Sequence, residues 1–216
     1  MSGTRNVLIT GAGSGFGRAL ATEALSSGYS VIGTVRSEAA RQEFGAMDPA
    51  RARAVVLDVT DFAAIAPAVA RAERDVGPID VLVNSAGYGH EGTLEESPLE
   101  EMRRQFDVNV FGAVAMIKAV LPFMRERRRG NIVNITSMAG YVGLPGIPFY
   151  AGSKFALEGI SEVLAHEVRG FAPHRADHGI SGRERFRRQS PSEAGTGPCD
   201  QKIPLPTHSH VLSKTS

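Results

Sequence analysis

The chain has 216 residues, 42% of them hydrophobic, which predicts one globular domain with a single core. Its formal net charge of +1 lacks the basic excess typical of nucleic-acid-binding proteins, and its one cysteine, Cys199, excludes an intramolecular disulfide. We therefore expect a reducing compartment, the cytoplasm, and no nucleic-acid partner. The apolar stretch 108–124 is interrupted by Lys118 and Pro122, so we expect no membrane span.

Short aliphatic runs alternate along the chain with longer segments of helical periodicity. The aliphatic runs predict buried strands at 6–10, 30–35, 53–57, 79–83 and 131–135. The periodic segments predict helices at 16–26, 38–44, 61–75, 99–127 and 151–169. This alternation predicts a Rossmann-type, doubly wound parallel sheet, in which ligands bind beyond the carboxyl ends of the strands.

The first strand leads directly into the glycine-rich sequence TGAGSGFG, which is followed by a helix. Glycines at a strand-to-helix turn allow backbone amides and the helix amino terminus to approach a pyrophosphate. A glycine-rich turn without a ligand is the alternative. The strand-to-helix context favours a phosphate-binding turn, with candidate cofactor contacts at Gly11, Ser14, Gly15, Phe16 and Gly17.

The second and third strands are also followed by candidate cofactor contacts. The second strand ends at Val35 without a carboxylate for the ribose of NAD, and the next residue, Arg36, can pair with the 2′-phosphate of NADP. An ordinary exposed arginine is the alternative. Asp58 and Val59 follow the third strand, where Asp58 either lies near the adenine or belongs to the cap of the next helix.

The sequence NSAG ends the fourth strand, and its small residues leave room for a flat cofactor. Asn84, Ala86 and Gly87 are the candidate cofactor contacts, and Asn84 can also tie neighbouring backbone together, although a polar turn explains the motif as well. Asn109 lies within an otherwise apolar helical segment, where asparagine competes with the backbone for hydrogen bonds. A residue that goes against the local helix propensity often marks a functional site, but an asparagine that the helix merely tolerates is the alternative.

The fifth strand is followed by Ser137 and then by the sequence YAGSK, which contains Tyr150 and Lys154. Residues four apart share a helix face. An ammonium group beside a phenol favours the phenolate, which can exchange a proton with a substrate oxygen. The spacing alone is also that of a common surface pair, so the interpretation depends on the other motifs.

Together, TGAGSGFG, NSAG, Asn109, Ser137 and YAGSK resemble the short-chain dehydrogenase/reductase superfamily over about residues 5–170. The resemblance implies hydride transfer between a nicotinamide cofactor and an alcohol or ketone, with Tyr150 as proton donor or acceptor and Ser137 holding the substrate oxygen. It also implies that Lys154 binds the nicotinamide ribose and tunes Tyr150, that Asn109 supports a water relay, and that a homo-oligomer is possible. Arg36 favours NADP(H) over NAD(H).

The periodic pattern ends at about Gly170. We therefore divide the chain into a cofactor-binding and catalytic domain, 1–170, and an irregular tail, 171–216, that is poor in large apolar residues. Nothing from Ala172 onward resembles the family's sixth strand, substrate loop and seventh strand, so the fifth strand is expected to be a sheet edge. The alternative to an active enzyme is thus a cofactor-binding chain that is inactive or unstable.

The histidines do not suggest a metal site, because none has the HExxH spacing. His208 and His210 lie in the polar tail, where solvation is the simpler interpretation. His90 follows the NSAG motif near the expected substrate opening, but we interpret it as a loop histidine without partners. We expect no metal ion.

Overall fold

The computed structural model describes residues 5–168 and a two-residue strand at 177–178. The strands are β1 (Asn6–Ile9), β2 (Ser30–Val35), β3 (Ala52–Val56), β4 (Ile79–Asn84), β5 (Asn131–Asn134) and β6 (Asp177–His178). They pair in parallel in the order β3-β2-β1-β4-β5-β6. The predicted Rossmann-type parallel sheet is confirmed, and the five predicted strands begin and end within about one residue of the observed ones.

The helices agree with the periodic segments of the sequence. They are α1 (Gly15–Ser26), α2 (Glu38–Gly45), α3 (Phe62–Asp75), α4 (Leu99–Phe106), α5 (Ala113–Glu126) and α6 (Pro148–Glu167). A π-helical segment, Asp107–Gly112, joins α4 to α5, and a short 3₁₀ turn, Met138–Gly140, follows β5. The predicted helix at 99–127 is therefore continuous but not α-helical throughout.

The core lies on both faces of the sheet, because the side chains of each strand alternate in direction. Leu8 of β1 packs on one face with Ile65 of α3 and Met116 of α5. Ile9 packs on the other face in the cluster that includes Phe44 of α2. Helices on both faces bury β1 completely and β2 except for Ser30, which explains why these strands appear as aliphatic runs without polar alternation.

Within the described residues, the continuous helix Leu99–Glu126 is long and apolar enough to cross a membrane. In the structure, its α5 part contributes Met116, Ile117 and Val120 to the core cluster. Core helices of globular domains commonly have this composition. The expectation that the chain has no membrane span stays a prediction.

The sheet extends one strand further than the sequence predicted. Asp177–His178 pairs in parallel with Val133 and Asn134 of β5. The expectation that β5 forms the sheet edge is therefore wrong at Val133 and Asn134, which are covered by β6. A two-residue strand has no hydrophobic period, so the sequence carries no signal for it. The other residues of the expected tail, 171–176 and 179–216, lie outside the described part of the chain.

The strand order creates a crevice at the carboxyl ends of β1 and β4. The chain runs outward through β2 to β3, and then crosses back to pair β4 with β1. The connections that leave β1 and β4 therefore diverge to opposite sides of this point. Ligands of open α/β sheets bind at such a switch point, and the glycine-rich turn after β1 opens onto it.

Candidate active site

The glycine-rich turn after β1 lies so close to its surroundings that it excludes side chains. Gly11 has a φ of +68°, and a Cβ there would lie 2.9 Å from Cα of Ala86. A Cβ on Gly17 would lie 2.5 Å from the carbonyl oxygen of Gly11. The turn thus needs glycine at 11 for its left-handed backbone. Helix α1 needs glycine at 17 so that it can pack against the carbonyl of Gly11.

The turn and the first residues of α1 form one wall of a cleft of about 810 Å³. Ser14 is the N-cap of α1, but its side chain makes no capping hydrogen bond, so it does not cover the first-turn amides. Such amides, with the positive end of the helix dipole, bind phosphate groups. Because no side chain blocks Gly15 and the cleft continues past Ala86, the residues fit a dinucleotide.

Two threonines outside the predicted set of cofactor contacts hold the turn in place. The hydroxyl of Thr10 accepts hydrogen bonds from the amides of Ser85 and Ala86, both at 3.0 Å. The hydroxyl of Thr34 accepts a hydrogen bond from the amide of Gly11 at 3.1 Å. These bonds join the ends of β1, β2 and β4. Thr10 directly precedes Gly11 and Thr34 lies two residues before Arg36, and this nearness to candidate residues was their only signal in the sequence.

Arg36 and Asp58 both line the cleft, close enough for the charge of Arg36 to act on Asp58. Hydrogen bonds from the amide and hydroxyl of Thr60, at 2.9 and 2.8 Å, hold the pKa of Asp58 below its usual range, and the positive charge of Arg36 adds to this effect. Asp58 thus both stabilises the turn and faces the cleft, while Asp61 caps α3 through the amide of Ala64. The cap of α3 is therefore formed by Asp61 and not by Asp58, and a position of Asp58 near the adenine stays a prediction.

Asn84 differs from the other members of the NSAG motif. Ala86 and Gly87 line the cleft, whereas Asn84 is 4% exposed and its Nδ2 donates to Oδ1 of Asn134 at 2.9 Å. Asn134 in turn donates to the hydroxyl of Ser161 at 2.7 Å. This chain of hydrogen bonds links β4, β5 and α6, so Asn84 ties elements together behind the cleft.

Asn109 lies in the π-helical segment, which explains an asparagine inside an apolar helix. Its Oδ1 accepts a hydrogen bond from the amide of Tyr88, and its Nδ2 donates to the carbonyl of Tyr88 and the hydroxyl of Ser153, at 2.9–3.0 Å. A π segment widens the helix and is frequent at functional sites. Asn109 therefore fastens the loop after β4 to α6, and its role in a water relay stays a prediction.

Tyr150 and Lys154 meet on one face of α6, as their spacing predicts. The Lys154 ammonium lies 5.6 Å from the centroid of the Tyr150 ring and donates to the carbonyl of Ile135 at 2.8 Å. A Cβ on Gly87 would lie 3.7 Å from Nζ of Lys154, which places the ammonium beside the cleft-lining motif. Burial lowers the pKa of Lys154 to about 8, against an opposing effect of Glu158.

Ser137 lies after β5, two residues beyond the carbonyl that anchors Lys154. It is half-buried and forms the N-cap of the 3₁₀ turn, where its hydroxyl oxygen accepts a hydrogen bond from the amide of Ala139 at 3.2 Å. This bond uses the oxygen as an acceptor and leaves the O–H proton for another partner.

His90 has partners, so its interpretation as a loop histidine without them is wrong. Its Nε2 lies 2.9 Å from the hydroxyl oxygen of Ser97, and its ring stacks on Phe149 with 5.8 Å between ring centroids. Phe149 lies on a different element far along the chain, and Ser97 lies seven residues away in the same loop. The sequence contains no periodic pattern that would reveal them.

We predict that Gly17→Ala lowers the free energy of unfolding by about 1 to 3 kcal/mol, because its Cβ would overlap the rigid carbonyl of Gly11. Gly13→Ala is the matched control, since its Cβ would meet Val35 at an ordinary 3.5 Å. Urea unfolding of both variants without cofactor tests the prediction. Equal stability of the two variants would contradict it.

We predict that the contribution of Lys154 to stability depends on pH. Its pKa is about 8 in the folded chain and 10.5 as a free side chain, so between these values the unfolded chain binds more protons and stability rises with pH. Relative to Lys154→Met, the wild-type free energy of unfolding should rise by at most about 3 kcal/mol across this window. Urea unfolding of both proteins at several pH values measures the difference, and a pH-independent difference would contradict the prediction.

Comparison with known proteins agrees with the site. The family model described as short chain dehydrogenase matches residues 5–172. The chain is 45% identical over 165 residues to the 3-ketodihydrosphingosine reductase of Bacteroides thetaiotaomicron, covering 76% of this chain and 59% of that protein. It is 40% identical over 174 residues to human retinol dehydrogenase 8, covering 77% and 55%. The chain thus spans less than two thirds of the length of these relatives.

Solved structures with the same fold include one with NADP bound and one with NAD⁺ bound. A short-chain dehydrogenase from Streptomyces avermitilis superposes with a TM-score of 0.76 at 44% identity, covering 80% of this chain and 64% of that one. ElxO with NADP bound has a TM-score of 0.74 at 30% identity, covering 78% and 69%. NAD⁺-bound xylitol dehydrogenase has a TM-score of 0.74 at 32% identity, covering 78% and 66%. With the match over residues 5–172, the chain belongs to the short-chain dehydrogenase family.

Proposed function

We propose that this chain is an NADP(H)-dependent oxidoreductase that transfers hydride between the nicotinamide and an alcohol or carbonyl substrate, with Tyr150 as general acid and base. The observation that carries the proposal is the fixed position of Lys154. Its ammonium is buried, bonded to the carbonyl of Ile135 and 5.6 Å from the Tyr150 ring. A buried cation beside a phenol, next to a cleft that fits a dinucleotide, provides proton transfer where hydride transfer needs it.

The proton chemistry follows from the donors at the site. In carbonyl reduction, the Tyr150 hydroxyl donates its proton to the substrate oxygen, while the Ser137 hydroxyl donates a hydrogen bond to the same oxygen. The Lys154 ammonium stabilises the phenolate that remains on Tyr150, and its free N–H groups can hold a ribose hydroxyl. When bound, the nicotinamide supplies the hydride to the carbonyl carbon.

The preference for NADP(H) rests on the charge at the end of β2. Val35 ends the strand and Arg36 lines the cleft, so a cation stands where a carboxylate would bind the ribose of NAD. Asp58 faces the same part of the cleft, but its Oδ1 already accepts two hydrogen bonds from Thr60. A guanidinium can pair with a 2′-phosphate through two hydrogen bonds, which NAD cannot offer.

The surroundings of Ser137 support an apolar substrate. Residues 138–149 contain no charged side chain, and four of the large apolar residues of this segment are exposed, namely Met138, Tyr141, Val142 and Leu144. Leu94, in the loop before α4, is 71% exposed. Exposed apolar patches next to reactive groups favour binding of apolar ligands. Two relatives are named for such compounds, a 3-ketodihydrosphingosine reductase and a retinol dehydrogenase.

A cofactor-binding chain without turnover is the second candidate. It is favoured by the length comparison, since this chain spans 59% and 55% of the two relatives. An active enzyme would need residues outside the described part of the chain to supply what the relatives have beyond the matched region, and in the second candidate that contribution is lacking.

The test combines turnover and binding. Purified chain is mixed with NADPH and either a long-chain ketone or a ketose, and NADPH consumption and cofactor fluorescence are both recorded. We expect consumption with the long-chain ketone and little with the ketose. A fluorescence change without consumption would support the second candidate, and equal turnover of both compounds would contradict the apolar substrate.

A further inference from the structure

Residues 89–97, which we call the 89–97 loop, follow the NSAG motif and precede α4. The loop closes on itself, because Nε2 of His90 lies 2.9 Å from the hydroxyl oxygen of Ser97. Gly92 lies inside this closure, where a Cβ would be 2.5 Å from the same oxygen. The loop is therefore a small folded unit at the carboxyl end of β4.

The 89–97 loop contacts the start of α6 at three points. The amide of Gly92 donates to the carbonyl of Gly146 at 2.7 Å. The His90 ring stacks on Phe149, with 5.8 Å between centroids and 20° between the ring planes. A Cβ on Gly89 would lie 3.5 Å from the Tyr150 ring, which shows that the loop backbone passes directly beside that ring.

The start of α6 depends on these contacts, because the helix has no side-chain cap of its own. Its N-cap, Ile147, makes no capping hydrogen bond. Phe149 is 4% exposed and directly precedes Tyr150, so its ring anchors the first turn of the helix. A shift of Phe149 would move Tyr150 by a comparable distance.

We propose that His90 is a positioning residue that holds Tyr150 in its reactive position, by stacking on Phe149 and closing the 89–97 loop through Ser97. The inference rests on the proposed function, since it assigns His90 a role through Tyr150. The stack is the main contact, because it reaches the helix that carries Tyr150. The bond to Ser97 only fixes the direction of the imidazole. Misplacement of a reacting group by about 1 Å can reduce a rate about 10²-fold.

The test uses three variants of the full chain and one control. His90→Ala removes both contacts, His90→Phe keeps a stacking ring, and Ser97→Ala removes the hydrogen bond alone. His166→Ala is the matched control, because His166 is an exposed histidine near the end of the same helix. The measurements are kcat with NADPH and a long-chain ketone, the Kd of NADPH, and hydrogen exchange of the Ala151 amide, which donates to the carbonyl of Ile147.

We expect His90→Ala to lower kcat about tenfold or more and to leave the Kd of NADPH within about twofold. His90→Phe and Ser97→Ala each keep a stacking ring and lose the hydrogen bond, so both should keep most of kcat. The Ala151 amide should exchange faster in His90→Ala but not in the control. A merely structural role would weaken NADPH binding together with kcat, and that outcome overturns the proposal.

Two further outcomes would also overturn it. One is an unchanged kcat and unchanged exchange in His90→Ala. The other is a His90→Phe variant as slow as His90→Ala, which would mean that the imidazole itself acts in the reaction. Failure of the proposed function is distinguishable, because it appears as absent turnover in the wild-type chain. Hydrogen exchange at Ala151 then still decides whether His90 holds the start of α6.

Discussion

Tyr150→Phe is expected to reduce turnover by a factor of about 10² or more, while folding and NADPH affinity stay close to those of the wild type. The change removes the hydroxyl and keeps the ring. The ring makes the side-chain contacts of Tyr150, with the Lys154 ammonium and with the backbone at Gly89, and the Tyr150 carbonyl keeps its hydrogen bond from Ser153. The loss should therefore fall on proton transfer and appear in kcat.

Steady-state and single-turnover rates with NADPH and a long-chain ketone measure this effect. Tyr29→Phe is the control, because it removes a hydroxyl between α1 and β2, far along the chain from the Tyr150 site. The Kd of NADPH is measured for both variants by fluorescence. A Tyr150→Phe variant with activity near that of the wild type would show that another group transfers the proton.

Arg36→Asp is expected to weaken NADPH binding by about 1.5 to 3 kcal/mol and to shift preference toward NADH. The substitution removes the cation that would pair with the 2′-phosphate. It also places a carboxylate where one would bind the ribose hydroxyls of NAD. Because Arg36 lies at the cleft wall outside the core, the effect on folding should be small.

Titration of each variant with NADPH and NADH gives the affinity ratio that decides the prediction. Arg36→Gln separates loss of the positive charge from gain of a negative one near Asp58. Arg74→Asp is the control for net charge, since Arg74 lies at the exposed end of α3 in a pair with Asp75. If Arg36→Asp leaves the NADPH/NADH affinity ratio unchanged, Arg36 is not the phosphate partner.

Much of the fold could be predicted from the sequence because its determinants are local. Five aliphatic runs without polar alternation predicted strands covered on both faces, and the core clusters on the two sides of β1 agree with this. The glycines of the turn could be identified because a left-handed backbone at Gly11 and a close contact at Gly17 exclude side chains. Tyr150 and Lys154 could be paired because residues four apart share a helix face.

Contacts between residues far apart in the chain could not be predicted in this way. Asn84 looked like a cleft residue, yet its amide is buried against Asn134, fifty residues away. Asn109 is an unfavourable residue for an α-helix. It lies instead in a π-helical segment, where its side chain bonds to Tyr88 and Ser153, and the sequence does not reveal these distant partners. His90 looked unpartnered because Phe149 lies on another element.

By itself, the sequence determined the order of strands and helices, the position of the glycine turn, and the set of side chains available for chemistry. These depend on backbone sterics, hydrophobic period and helix spacing, which act over a few residues. Only the tertiary structure decided that Lys154 is buried against the carbonyl of Ile135 and that β5 has β6 as a neighbour. Burial and strand pairing arise when distant segments pack, so short-range patterns do not encode them.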